Sequence, residues 1–273
     1  MDGPALNFER MTIADVTAFL ETIAPVHLQE SYDNAGLIVG DPATKVTGVL
    51  TSLDCTEEII AEAVERGCNL VVAHHPIVFH GLKRLNGANY VERTVIKAIR
   101  EHVAIYAIHT NLDNVRHRGV NERIAQRLGL NNLRLLRAKN EEGTIGSGMV
   151  GELPEQMLEM AFLAMLRERM GAEVVRHTAL LDRRVTTVAV AGGAGGFLLD
   201  DAKRAGAQVL VTADYKYHEF FDADGEIVIC DIGHYESEQF TTQLLAEVLT
   251  KEFTTFAVLS TALSTNPVRY FVG

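Results

Sequence analysis

The chain has 273 residues, 47% hydrophobic and 22% charged, which is enough for one large domain or two modest lobes with a substantial buried core. Its formal net charge of −11 lacks the basic field of a general nucleic-acid binder, so no nucleic-acid partner is expected. No apolar run approaches the roughly 18 residues that a membrane helix needs, so no membrane partner is expected either.

Cys55, Cys68 and Cys230 are scattered, with no CxxC spacing, as in the reduced, buried thiols of a cytoplasmic protein. Met1-Asp2-Gly3-Pro4 lacks a basic region leading into an apolar stretch, so no secretory signal is expected.

Residues 12–23 carry the pattern of an amphipathic helix, with Thr12 as N-cap and Asp15 three residues on. Pro25 ends it. Ser31 to Gly36 is a polar turn, followed by a short strand at 37–39 and a second turn at 40–42. From Val46 an α/β rhythm begins. A strand is expected over 46–53, a helix over 56–65 capped by Asp54 or Thr56, and a strand over 70–73. That strand runs into His74-His75-Pro76. After a loop to residue 89 come a helix over 90–101, a strand over 103–108, the stretch His109-Thr110-Asn111-Leu112-Asp113-Asn114, and a helix over 119–128. Strand–helix–strand units of this spacing imply parallel pairing with right-handed crossovers.

The polar segment from about 130 to 147 reads as the join between two lobes, 1–135 and 136–273. Beyond it the expected elements are a short strand at 149–151, a helix over 154–170 and a strand over 173–177. The rhythm then restarts with a strand over 185–191, Gly192-Gly193-Ala194-Gly195-Gly196, a helix over 197–205 and a strand over 208–212. A strand over 227–231, a long helix over 236–251 and a strand near 255–260 complete the chain. The fold class is therefore α/β, with two related lobes whose mostly parallel sheets are flanked by helices.

The second rhythm copies the first. A shift of 139 residues places Val46-Thr47-Gly48-Val49 on Val185-Thr186-Thr187-Val188, and His75 on Asp214. A shift of 125 places His109 on His234 and Asp113 on Glu238. Each half thus offers a histidine and, four residues later, a carboxylate, just past a strand. The carboxyl ends of the strands are where open α/β sheets bind ligands.

His74, His75, Asp113, His234 and Glu238 supply three imidazoles and two carboxylates, a mixture that divalent transition metals favour. Spread over two ions they suit a two-metal site about 3.5–4 Å across. Taken alone, His234 and Glu238 also fit a solvated helix start. His109 has three roles open to it: a sixth ligand, a group that orients a ligand, or a proton carrier at a substrate. Lys83, Arg84, Arg116 and Arg118 lie near the histidine-bearing loops, where they suit either a phosphorylated substrate or ordinary surface charge. Lys216 and His218 lie in the loop that corresponds to His75 in the repeat. Asp33 and Asn34 form a turn by default. The Gly192–Gly196 run lacks both the Lys-Ser/Thr of a P-loop and the spacing of a dinucleotide fingerprint, so a tight turn is the stronger reading. No serine elbow or reactive-cysteine motif is present.

Several stretches together resemble one family, the dinuclear-metal-centre hexameric proteins, often named GTP cyclohydrolase 1 type 2 homologues. They are Tyr32-Asp33-Asn34-Ala35-Gly36-Leu37, His74-His75-Pro76-Ile77-Val78-Phe79, Leu82-Lys83, His109-Thr110-Asn111-Leu112-Asp113, Gly192–Gly196, Lys216-Tyr217-His218 and Gly233-His234-Tyr235-Glu236-Ser237-Glu238. The resemblance covers nearly the whole chain. It implies two metal ions per chain on His74, His75, Asp113, His234 and Glu238, with Fe, Mn, Zn and Ni all suited. It also implies a toroidal homohexamer; some members of that family carry a domain between the lobes, which a chain of this length is not expected to hold. The activity implied is opening of the guanine imidazole ring of GTP by metal-activated water, and His109, among its open roles, is the candidate catalytic residue. Asp33, Asn34, Lys83, Lys216 and His218 are then the candidate substrate contacts. The alternative is a non-catalytic metal-binding hexamer acting as scaffold, chaperone or regulator.

Overall fold

The computed structural model describes residues 11–271, so the Met1-Asp2-Gly3-Pro4 stretch lies outside the described residues. In chain order the elements are α1 (Ile13–Ile23), β1 (Gly36–Val39), β2 (Gly48–Ser52), α2 (Glu57–Glu65), β3 (Leu70–Ala73), α3 (Tyr90–Arg100), β4 (Ala104–Ala107), α4 (Thr110–Asp113) and α5 (Val120–Arg127). They continue with β5 (Asn131–Ala138), β6 (Gly146–Leu158), α6 (Glu159–Met170), β7 (Arg176–His177), β8 (Arg184–Val190), α7 (Leu199–Arg204) and β9 (Val209–Thr212). Last come β10 (Val228–Asp231), α8 (His234–Glu238), α9 (Thr241–Glu252) and β11 (Ala257–Ser260). Among the described residues no helix is long and apolar enough to cross a membrane. The chain forms two compact units, Met1–Leu112 with Thr241–Thr265, and Asp113–Phe240 with Asn266–Gly273.

The first unit holds a five-stranded sheet of order β1-β4-β3-β2-β11. Its pairs are parallel except β1 with β4. β2, β3 and β4 are buried along their whole length, as apolar runs in a parallel sheet covered on both faces should be. Leu50, Val71 and Ile105 of the sheet pack with Ile59 and Ile60 of α2 and Val95 of α3 in one core. Thr12 caps α1, accepting from the Asp15 amide while the Asp15 side chain accepts from the Thr12 amide. Thr56, rather than Asp54, caps α2. Cys55 and Cys68 are buried free thiols here, as is Cys230 in the second unit.

The expected division at residue 135 needs correction. β11 pairs in parallel with β2, Ala257 against Gly48 through Ser260 against Thr51, so it belongs to the first sheet. Residues 113–135, in turn, belong to the second unit. The pairing of β11 joins residues some two hundred positions apart, and local hydrophobic pattern carries no information at that range.

The second unit holds a six-stranded sheet of order β5-β6-β8-β9-β10-β7. Only β8–β9 and β9–β10 are parallel, so this sheet is mixed rather than mostly parallel. The segment read as an irregular join is an antiparallel hairpin, β5–β6. The helix expected from Pro154 begins instead at Glu159, because β6 runs on to Leu158. Pro154 sits where the β6–β8 register breaks, between Glu152 and Met157, so no ladder bond is required of its missing N–H. The strand expected over 173–177 shrinks to the two residues of β7.

The long helix expected over 236–251 is two helices, α8 and α9, which lie in different units. The interruption at Gln239 and Phe240 is tethered. The Gln239 side-chain amide donates to the Met170 carbonyl at 2.9 Å, and the Arg127 guanidinium lies 4.1 Å over the Phe240 ring.

The repeat is visible in register and in hydrogen bonding. Val49 pairs with Leu70 in the first sheet and Val188 with Val209 in the second, which are the same positions under the 139-residue shift. The Asn69 side chain accepts from the Thr47 amide at 2.8 Å, and the corresponding Gln208 accepts from the Thr186 amide at 2.9 Å.

Candidate metal centre

The site begins where strands stop. β3 ends at Ala73, and the next two amides still bond across to the β2 side: His74 N–H to the Ser52 carbonyl at 3.2 Å and His75 N–H to Leu53 at 2.9 Å. The Ile108 amide bonds back to Ala73 at 3.0 Å, which carries the chain past the end of β4 and delivers His109 beside the pair. The rings of His74, His75 and His109 then meet, with centroids 4.9, 5.2 and 5.3 Å apart. One donor nitrogen from each lies within 4.8 Å of the others. His74 is fully buried. Phe79 closes one side, its ring 5.7 Å from that of His109.

Each ring has one nitrogen already engaged. His74 Nδ1 lies 2.8 Å from the Ile108 carbonyl, His75 Nδ1 2.8 Å from Asp54 Oδ1, and His109 Nδ1 2.8 Å from Asp33 Oδ1. A carbonyl and an ionised carboxylate can only accept, so Nδ1 carries a proton, and in the neutral ring Nε2 then carries the lone pair. Metal-ligating histidines are typically held this way by a backbone oxygen or a carboxylate.

Asp33 is itself over-supported. Its Oδ2 takes the Thr110 amide at 3.0 Å and the Thr110 hydroxyl as well. Burial opposes its ionisation, but the hydrogen bonds from His109 and Thr110 outweigh that and hold its carboxyl at about 2. Asp54 is likewise held below its ordinary value, with burial outweighed by its bond to His75.

The second unit carries a cluster of its own on α8. Gly233 starts that helix at φ 91°, where a β-carbon would lie 2.3 Å from Glu236 Oε2, so only glycine fits. His234 and Glu238, one turn apart, meet with Nε2 3.0 Å from Oε2, and His234 Nδ1 lies 2.7 Å from Asp214 Oδ2. Glu238 is buried and His234 half-buried. Burial disfavours a charged His234, yet hydrogen bonds and charge from Asp214 and Glu238 prevail and push it up to about 11. The proton between Nε2 and Glu238 holds a place that a metal cation can take, since both groups present lone pairs once it leaves.

Three amides of the glycine run are taken by side chains of the same unit. The Gly192 amide goes to Asn121 Oδ1 at 3.0 Å, the Gly193 amide to Ser237 Oγ at 2.9 Å and the Gly195 amide to Thr212 Oγ1 at 2.9 Å. Gly193 has φ 58°, and a β-carbon there would come within 2.6 Å of Glu238 Oε1.

Imidazole nitrogens and carboxylate oxygens held in this manner suit a divalent transition ion. Asp113 closes α4, four residues after His109, and begins the second unit. Asp33, a candidate substrate contact from sequence, is hydrogen-bonded to His109 at 2.8 Å. Asn34 ties two loops together, its side-chain amide donating to the Val78 carbonyl at 2.7 Å. Lys83 is exposed in the loop 76–89. Lys216 is exposed beside Glu219, and His218 is exposed with its ring against Tyr217. From sequence Asp54 is a candidate helix cap and Ser237 a member of the His234 stretch, and neither pattern signals the contacts with His75 and Gly193. For Asp214, its correspondence to His75 in the repeat was the available signal.

A family model described as Duf34/NIF3 (NGG1p interacting factor 3) matches residues 11–267. A Clostridium perfringens protein named GTP cyclohydrolase 1 type 2 homolog is 34% identical over 229 residues, 84% of this chain and 87% of that protein. A Streptomyces coelicolor protein of the same name is 32% identical over 232 residues, 83% of this chain and 81% of its own length. Among solved structures, Staphylococcus aureus protein SA1388 has a TM-score of 0.88 at 29% identity, covering 96% of this chain and 100% of that one. By these matches and by the histidines at its strand ends, the chain belongs to the Duf34/NIF3 family.

Proposed function

We propose that the protein holds two divalent metal ions on His74, His75, Asp113, His234 and Glu238, and uses them to hydrolyse a nucleotide or another phosphorylated small molecule. The observation that carries this reading is the set of pinned imidazoles. His74, His75, His109 and His234 each hold Nδ1 against an acceptor at 2.7–2.8 Å, the way metal-ligating histidines are typically oriented. Bound divalent ions of this kind polarise a carbonyl or phosphoryl oxygen and acidify water.

His109, oriented by Asp33, is the residue we assign to proton movement at the substrate. Opening of the guanine imidazole ring is the specific reaction proposed, in line with the name that the relatives carry. A homohexamer is the proposed assembly, measurable by light scattering.

Elemental analysis of the purified protein tests the foundation. Two ions per chain are expected, with occupancy falling in His75→Ala and in Glu238→Ala. No uptake after metal reconstitution would remove the proposal. Formate release from GTP then tests the chemistry. His109→Ala should keep its metal and lose on the order of 10²–10⁴-fold in rate. Metal-loaded protein that turns over neither GTP nor a panel of phosphoesters would leave the non-catalytic reading in its place.

A further inference from the structure

Beyond the histidine cluster, the second unit carries a groove of about 890 Å³ at the carboxyl edge of β8 and β9. One wall is the loop after β8, Ala194 to Phe197, and the other is the segment after β9, from Asp214 to Asp224. This is the edge at which α/β sheets receive ligands. We propose that the groove binds a small organic cation carrying alkylammonium or guanidinium groups.

The charge on its walls sets the sign of the ligand. Asp200, Asp214, Glu219, Asp222 and Asp224 line it, against Lys203 and Lys216. Both lysines are already engaged. Lys203 Nζ lies 2.8 Å from both the Asp222 carbonyl and Glu226 Oε1, and Lys216 Nζ lies 3.7 Å from Glu219. Asp214 is committed to His234. Among the described residues no cation pairs with the carboxylates of Asp200, Asp222 or Asp224. An anion would meet this excess of negative charge, whereas a cation would relieve it.

A second observation is independent of the carboxylates. Tyr215 is 4% exposed, and its hydroxyl has no hydrogen-bond partner among the described residues. The ring lies against the groove wall, since a β-carbon on Gly196 would sit 3.3 Å from it and 3.7 Å from the hydroxyl oxygen. Burial raises the phenol's pKa, as do the charges of Glu219, Asp222 and Asp200, so the group stays neutral. A buried hydroxyl without a partner is uncommon in a folded protein, and its oxygen can accept from an N–H of the ligand.

Aromatic surface completes the chemistry. Phe197 and Phe221 stand in the lining and are 60% and 68% exposed. Arg137 already lies 5.4 Å over Phe197, whereas no described cation covers Phe221. Carboxylates beside an exposed ring form a setting that attracts organic cations. The groove shares only Asp214 with the proposed metal centre, so the two assignments stand or fall separately.

Calorimetric titration of the full-length protein at physiological salt tests the proposal, with spermidine and agmatine as the ammonium and guanidinium probes and inorganic phosphate as the anionic contrast. One equivalent of at least one amine per chain is expected, with no uptake of phosphate. Affinity should fall at least fivefold in Tyr215→Phe and in the double variant Asp222→Asn, Asp224→Asn, with each variant's thermal melt checked against that of the parent. Phe221→Ala, at an exposed position, supplies a further variant that leaves the core intact. Phosphate binding without amine binding would overturn the proposal. So would the absence of amine heat, or amine uptake over several equivalent sites indifferent to all three variants.

Discussion

Asp33 Oδ1 accepts the Nδ1 proton of His109 at 2.8 Å, across 76 positions of sequence. The bond fixes both the tautomer and the tilt of a ring that stands among two other histidines. Asp33→Asn removes the charge and offers an amide that can present either a donor or an acceptor. The variant should lose about 1–3 kcal/mol of stability, read from denaturant unfolding. Nitrogen-15 spectra of the imidazoles should show His109 departing from its single tautomer while His75, held by Asp54, keeps its own.

Gly193 and Glu238 are similarly matched. At φ 58° and with Glu238 Oε1 only 2.6 Å from the place of a β-carbon, Gly193→Ala must strain the backbone and displace the carboxylate. A stability loss of about 1–3 kcal/mol is expected. Metal content should drop with it, a second readout that a purely structural loop would leave unchanged.

Glu62 anchors the chain after β11. Its carboxylate takes the Ala262 amide at 2.9 Å, Arg66 Nη1 at 2.7 Å and the Thr261 hydroxyl. Burial works against the charge, but these bonds prevail and hold the group below the ordinary glutamate value of 4.5. Its contribution to stability is therefore fully present above pH 4.5 and is lost as the pH falls through the lower folded value. Glu62→Gln should cost about 1–3 kcal/mol near neutrality. The gap between variant and parent melting temperatures should close in acid.

The paired bonds of the repeat predict paired losses. Asn69→Ala frees the Thr47 amide, and Gln208→Ala frees those of Thr186 and Thr187. Each should destabilise its own unit by about 1–2 kcal/mol. Hydrogen exchange should localise the first loss to β2 and β3 and the second to β8 and β9.

Local features were well read from sequence. The capping box at Thr12 and Asp15, the buried runs of β2, β3 and β4, and the histidines at the end of β3 all follow from neighbours within a few residues. What escaped depends on distance. Asp54 and Asp33 are ordinary turn residues until the fold brings them to His75 and His109, which lie 21 and 76 positions away. Pro154 signalled a helix start, yet it sits in a gap of strand register that the hairpin partner alone reveals. The mixed second sheet arises in the same way, because antiparallel β5, β6 and β7 add edges to a parallel β8–β9–β10 core.

The pairing of β11 with β2 also orders events on the ribosome. Residues 48–52 emerge long before 257–260, so the first sheet waits with one side of β2 unpaired, an exposed edge open to association with other chains. Most of the second unit is one continuous stretch, Asp113–Phe240, and is complete before β11 is made. A premature stop late in the message therefore does most harm to the part of the protein synthesised first.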